Sequence, residues 1–109
     1  MRAGLALAAM VMATAAQAGT FWDGNKLYSK LRGETMEQMQ ALGYIMGAAD
    51  ALDTATVCAP LNVTAGQMND MMKNYLENYP AVRHLPADSI INVVLGRMWP
   101  CEKKKGQSL

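Results

Sequence analysis

Thr35-Met36-Glu37-Gln38-Met39-Gln40-Ala41-Leu42-Gly43-Tyr44-Ile45-Met46-Gly47-Ala48-Ala49-Asp50-Ala51-Leu52 carries the reading of the fold. Met36, Met39, Leu42, Ile45, Met46, Ala49 and Leu52 return at steps of three and four, the apolar stripe of an amphipathic helix. Thr35 and Gln38 have the spacing of a capping box. The pattern predicts a helix from Thr35 to about Asp53 or Thr54. Gly43 and Gly47 stand one turn apart on a neighbouring face, where each costs about 1 kcal/mol of helix propensity. Either a second helix packs closely over the bare backbone, or the two glycines are tolerated at an open surface.

The flanking segments read as helices too. Before the long helix, Phe21–Gly24 is a turn, and Asn25 is expected to cap a short helix to about Arg32, with Leu27, Tyr28 and Leu31 on one side. Gly33 ends it. After the long helix, Val57-Cys58-Ala59-Pro60 turns the chain. Thr64 is then an N-cap, Gln67 its N3 partner, and Val63 with Met68 a hydrophobic staple. That helix runs to about Asn78 with Met68, Met71, Met72, Tyr75 and Leu76 inward, and Tyr79-Pro80 breaks it. Ala81–Leu85 is a connector, and Pro86 suits the first turn of a last helix. Ala87, Ile90, Ile91, Val94, Leu95 and Met98 line its inner face, and Trp99-Pro100 stops it. The sequence holds no strand-length alternation, hairpin turn or internal repeat. The expected fold class is all-α, a compact bundle of three main helices plus a short first one.

The 109 residues allow one domain. Its first segment reads as an export signal. Arg2 precedes a short apolar run to about Ala13, and Ala16-Gln17-Ala18 is a small-residue cleavage site. The run is shorter than the roughly 20 residues that a bilayer span needs. A signal peptide over Met1–Ala18 leaves a helical domain at 19–101 and a polar, basic tail at 102–109, exported to a periplasm with no membrane span. In such an oxidising compartment Cys58 and Cys101 read as one intramolecular disulfide, the alternative being an intermolecular bridge.

Composition narrows the function. With 10 Lys plus Arg against 9 Asp plus Glu, the formal charge is +1, which provides no broad basic surface for nucleic acid. One His, two Cys and three Ser leave little material for a metal site or a Ser-His triad. No cofactor or metal is expected.

Several short motifs occur together. Leu42-Gly43-Tyr44-Ile45-Met46-Gly47-Ala48-Ala49-Asp50 resembles the Leu-Gly-Tyr-φ-x-Gly-φ-x-Asp core of the Rap/Tai family, the immunity proteins of bacterial type VI secretion. So does Cys58-Ala59-Pro60 followed by Val63-Thr64-x-x-Gln67. Tyr75-Leu76, Pro80, His84, Ala87 and Trp99-Pro100-Cys101 fall where that family has Tyr-Leu, Pro, His, Ala and Phe-Pro-Cys. The resemblance covers about Phe21–Cys101. Many members have two further cysteines, at positions that here are Leu31 and Ala41. Their joint absence fits a second pair lost as a unit and leaves Cys58 to pair with Cys101, as in a divergent member. The resemblance implies a helical periplasmic inhibitor, often a homodimer, that occludes a peptidoglycan amidase and performs no catalysis itself. Two other readings are a phage- or prophage-encoded inhibitor of an envelope lysis or injection component, and a small periplasmic acid-stress chaperone.

The connector Tyr79-Pro80-Ala81-Val82-Arg83-His84 is the expected partner contact, with Tyr79, Arg83 and His84 as its anchors. The alternative is that these residues staple two helices together. Asp50 and Asp53 lie three apart, yet no nucleophile or second base accompanies them, and Asp50 is expected to hydrogen-bond backbone or Tyr44. The seven methionines beyond the signal could bind Cu(I), but their helical spacing favours core filling.

Overall fold

The computed structural model describes residues 21–102, so the expected signal peptide and the basic run Lys103-Lys104-Lys105 lie outside the described residues. Among the described residues four α-helices follow one another: α1 (Gly24–Leu31), α2 (Thr35–Leu52), α3 (Ala65–Asn78) and α4 (Ala87–Met98). A single 3-10 turn, Pro80–Val82, sits in the connector between α3 and α4. Among the described residues there is no strand, only three isolated bridges, so the fold is all-α as expected.

Local chemistry sets the helix ends. Thr64 accepts from the Gln67 N–H at 3.1 Å, and the Gln67 side chain accepts from the Thr64 N–H at 2.7 Å, the reciprocal capping that the sequence predicts. The other two expected caps shift. α1 is capped by Asp23, not Asn25: its carboxylate accepts from the Lys26 N–H at 2.9 Å, which lets the helix begin at Gly24. At α2 the capping pair is Glu34 and Glu37, one residue earlier than Thr35 and Gln38, and Glu37 Oε1 accepts from the Glu34 N–H at 3.1 Å. Gln38 instead turns back and donates to the Gly33 carbonyl at 2.8 Å.

The starts of α1 and α4 complete each other. The N–H groups of Gly24 and Asn25 donate to the carbonyls of Leu85 and Arg83, and the Ala87 N–H donates to the carbonyl of Trp22. Donors that a helix start leaves open are thus satisfied by the chain entering its neighbour. The approach is close enough that a Cβ on Gly24 would fall 2.7 Å from the Arg83 oxygen.

The core draws on every helix: Leu27 and Leu31 of α1, Ala41 and Ile45 of α2, Met72 and Leu76 of α3, and Ile90, Ile91 and Leu95 of α4. The expected stripe of α2 is corrected. Met36 and Met39 are 70% and 62% exposed, Met46 is also exposed, and the helix turns Ala41, Tyr44, Ile45, Ala48 and Leu52 inward. Gly43 and Gly47 therefore face outward, with nothing within 4 Å of an added Cβ; they are tolerated at an open surface, not packed under a helix. On α4, Met98 is exposed rather than inward.

Cys58 and Cys101 form the expected disulfide, 43 positions apart in sequence. It ties the corner after α2 to the end of α4, where the Cys58 N–H also donates to the Trp99 carbonyl at 2.8 Å. A loop of this length contributes roughly 3–4 kcal/mol on the chain-entropy account. Thr54 turns the same corner with φ 64°, a left-handed conformation uncommon for a β-branched residue.

Candidate partner-binding surface

α3 and α4 leave an open groove between them, with a volume of about 440 Å³. Met71, Tyr75 and Val94 are its half-buried floor. Tyr79 and Met98, 54% and 55% exposed, stand at its rim. The remaining walls are the side chains of Asn74, Asn78 and Arg97. Tyr75 and Tyr79 lie one helical turn apart, and their rings meet at 4.7 Å with a tilt of 37°. A smaller hollow of about 80 Å³ shares Tyr75 and reaches Val82, Leu85 and Val93. Leu85 and Val93 are exposed, so apolar surface extends beyond the groove along α4. Large exposed apolar surface with aromatic residues is the chemistry of a protein interface.

The connector that frames this surface is held by Arg83. Its Nε donates to the Leu76 carbonyl at 2.7 Å and a terminal nitrogen reaches the Glu77 carbonyl at 3.4 Å. Both carbonyls belong to the last turn of α3, where a cation also meets the negative end of the helix dipole. The guanidinium lies 4.1 Å from the Tyr28 ring centre. Arg83 is half-buried and committed to these partners, whereas Tyr79 and His84 are exposed. Among the described residues no hydrogen bond is formed by the His84 side chain. Of the three expected anchors, the structure thus gives one an internal task and leaves two at the surface.

The sequence matches the family model of Rap1a immunity proteins over residues 23–101. The chain belongs to that family. No curated protein and no solved structure gives a significant match.

Most of the polar, glycine and proline residues by which this Rap1a family member resembles its relatives fall into two sets. Thr64 and Gln67 cap α3, Pro80 opens the 3-10 turn, Pro100 bridges to Val57 beside the disulfide, and Pro60 accepts from the Val63 N–H. Tyr44 joins this scaffold set: its ring stacks on Trp22 at 4.5 Å and 7°. Burial pushes the Tyr44 phenol above its ordinary 10.0, and the nearby Asp88 carboxylate adds to the effect, while the Asp88 N–H acts in the opposite direction. Tyr44 therefore meets Asp88 at the start of α4, not Asp50. Gly43, Gly47 and Asp50 form the second set, exposed together on the outer face of α2. Asp50 makes no side-chain hydrogen bond among the described residues.

Arg97, Asn74, Asn78 and Met98 had no motif to single them out. The available signal was the spacing: Asn74 with Asn78 and Tyr75 with Tyr79 are two adjacent pairs at i, i+4, a polar row beside an aromatic row on one helix. Among the described residues no three His, Cys, Asp or Glu side chains gather to hold a metal, and no helix is long and apolar enough to cross a membrane.

Proposed function

We propose that this protein is a periplasmic immunity protein that binds a peptidoglycan amidase delivered by type VI secretion and blocks its active-site cleft. Membership of the Rap1a immunity family supports the class of function. The observation that carries the mode of action is the groove between α3 and α4, edged by Tyr79 and Met98 and set on a disulfide-tied scaffold. It offers an aromatic and apolar anchor surface on a frame that need not reorganise on binding, so little affinity is lost to ordering. Inhibition by occlusion requires no chemistry from the inhibitor. The signal peptide over Met1–Ala18 accounts for the site of action, since a wall-degrading enzyme must be met outside the cytoplasm, and Tyr79 and His84 are the connector residues that reach the partner.

The test is a muralytic assay. Each type VI secretion peptidoglycan amidase of the source strain is mixed with peptidoglycan in the presence and absence of the purified protein, and complex formation is followed by calorimetry. Stoichiometric inhibition with a matching complex supports the proposal. Full amidase activity in the presence of excess folded protein, or peptidoglycan cleavage by the protein alone, refutes it.

A further inference from the structure

The groove between α3 and α4 has one charge in its lining. Arg97 is the only ionisable side chain among its walls apart from the two tyrosines, and no carboxylate lines it. Among the described residues the Arg97 side chain has neither an ion-pair nor a hydrogen-bond partner. Its place in the last turn of α4 suits the helix dipole, which explains why a cation is tolerated there. It does not explain why the guanidinium stands beside an apolar floor together with two side-chain amides, Asn74 and Asn78, neither of which has a hydrogen-bond partner among the described residues. Arg83, by contrast, shows what a cation serving a helix end looks like in this molecule: it donates directly to two carbonyls of α3.

From this arrangement we infer that the groove captures an extended loop of the partner in which an apolar side chain is followed by a carboxylate. The apolar side chain fills the floor over Tyr75, Met71 and Val94. The carboxylate takes both arms of the Arg97 guanidinium, a geometry that planar forks favour. The amides of Asn74 and Asn78 pair with the loop backbone, and Tyr79 and Met98 close over the anchor and keep water from the ion pair. A volume of about 440 Å³ admits a side chain of this kind with its neighbouring backbone. Charge complementarity selects this occupant: a basic loop would place a like charge against Arg97 with no carboxylate in the groove to offset it.

The inference rests on the immunity reading, but its test does not require the amidase. Isotope-labelled protein is titrated with the blocked pentapeptide Gly-Leu-Phe-Asp-Gly and with its Asp→Asn analogue, and amide chemical shifts are followed. The acidic peptide is expected to move the resonances of Asn74, Asn78, Tyr79 and Arg97 and to bind about tenfold more tightly than the amide analogue. Arg97→Gln should make the two peptides equal, while Lys73→Gln, on α3 outside the groove lining, should keep the difference. Shifts gathered on α2, equal binding of the two peptides to the unaltered protein, or no binding of either overturns the inference and leaves the muralytic result untouched. A preference for the acidic peptide together with an uninhibited amidase would instead keep the groove and discard the immunity reading.

Discussion

The Arg83 guanidinium lies over the Tyr28 ring while its Nε holds the Leu76 carbonyl, so one side chain joins α1, the end of α3 and the connector to α4. A part-buried hydrogen bond to the Leu76 carbonyl, an exposed one to the Glu77 carbonyl and a cation–π contact are lost together on truncation. Arg83→Ala is expected to destabilise the protein by roughly 1–3 kcal/mol. Arg83→Lys should recover less than half of that, because an ammonium cannot both lie flat on the ring and aim a second donor at α3. Urea unfolding of the three proteins measures it, and an unchanged midpoint for the alanine variant would show that the clamp contributes nothing.

Methionine burial provides a second check. Met72 is fully buried, whereas Met39 is 62% exposed on α2. Met72→Ala should cost roughly 2–5 kcal/mol through lost transfer and the cavity left behind. Met39→Ala should stay within about 0.5 kcal/mol of the unaltered protein. Comparable losses for both would mean that the exposed face of α2 is covered in solution.

The contrast between these two methionines shows what the sequence could and could not convey. α3 carries its own punctuation, Thr64 with Gln67 and then Tyr79-Pro80, and its apolar residues share one side, so both its span and its inner face were readable. α2 was readable as a helix but not as an orientation. Apolar residues lie nearly all the way round it, and a count weighted by side-chain size favours Met36, Met39 and Met46 over Ala41 and Ala48. The interior chose the small residues, since Ala41 is fully buried among the packed helices. Close packing rewards fit as much as hydrophobicity, and fit depends on the neighbours. The groove was hidden for a related reason. Arg97 and Asn74 belong to different helices, and nothing local to either says that they share a wall. Arg83 was legible as a residue of interest, but its partners Tyr28 and Leu76 come from two other elements.

The glycines give predictions of opposite sign. Gly43→Ala and Gly47→Ala should each stabilise the protein by about 0.5–1 kcal/mol, because an added Cβ meets nothing and the helical backbone suits alanine. Gly24→Ala should destabilise by roughly 1–3 kcal/mol, because its Cβ would press on the Arg83 carbonyl and on Ile90 Cδ1, both at 2.7 Å. Thermal melts of the three variants measure this. Affinity for the proposed amidase partner should be unchanged in the two stabilised variants, since the proposed docking surface lies on α3 and α4; a loss of affinity there, in proteins that melt higher, would move the contact to α2.

Tyr44 makes stability depend on alkaline pH. Its phenol is held above the ordinary 10.0 by burial and by the Asp88 carboxylate, so the folded chain keeps the proton more tightly than the unfolded chain does. The contribution is therefore complete below pH 10 and is lost as the pH rises from there through the folded value. Tyr44→Phe retains a ring to stack on Trp22 and removes the titration. Lysine deprotonation and the other tyrosines act on both proteins alike, so the difference between them isolates Tyr44. Above pH 10 the urea midpoint of the unaltered protein should fall more steeply than that of the Tyr44→Phe variant. Parallel curves would mean that the phenol is no better shielded in the folded protein than in the unfolded one, and that the contact with Asp88 does not persist in solution.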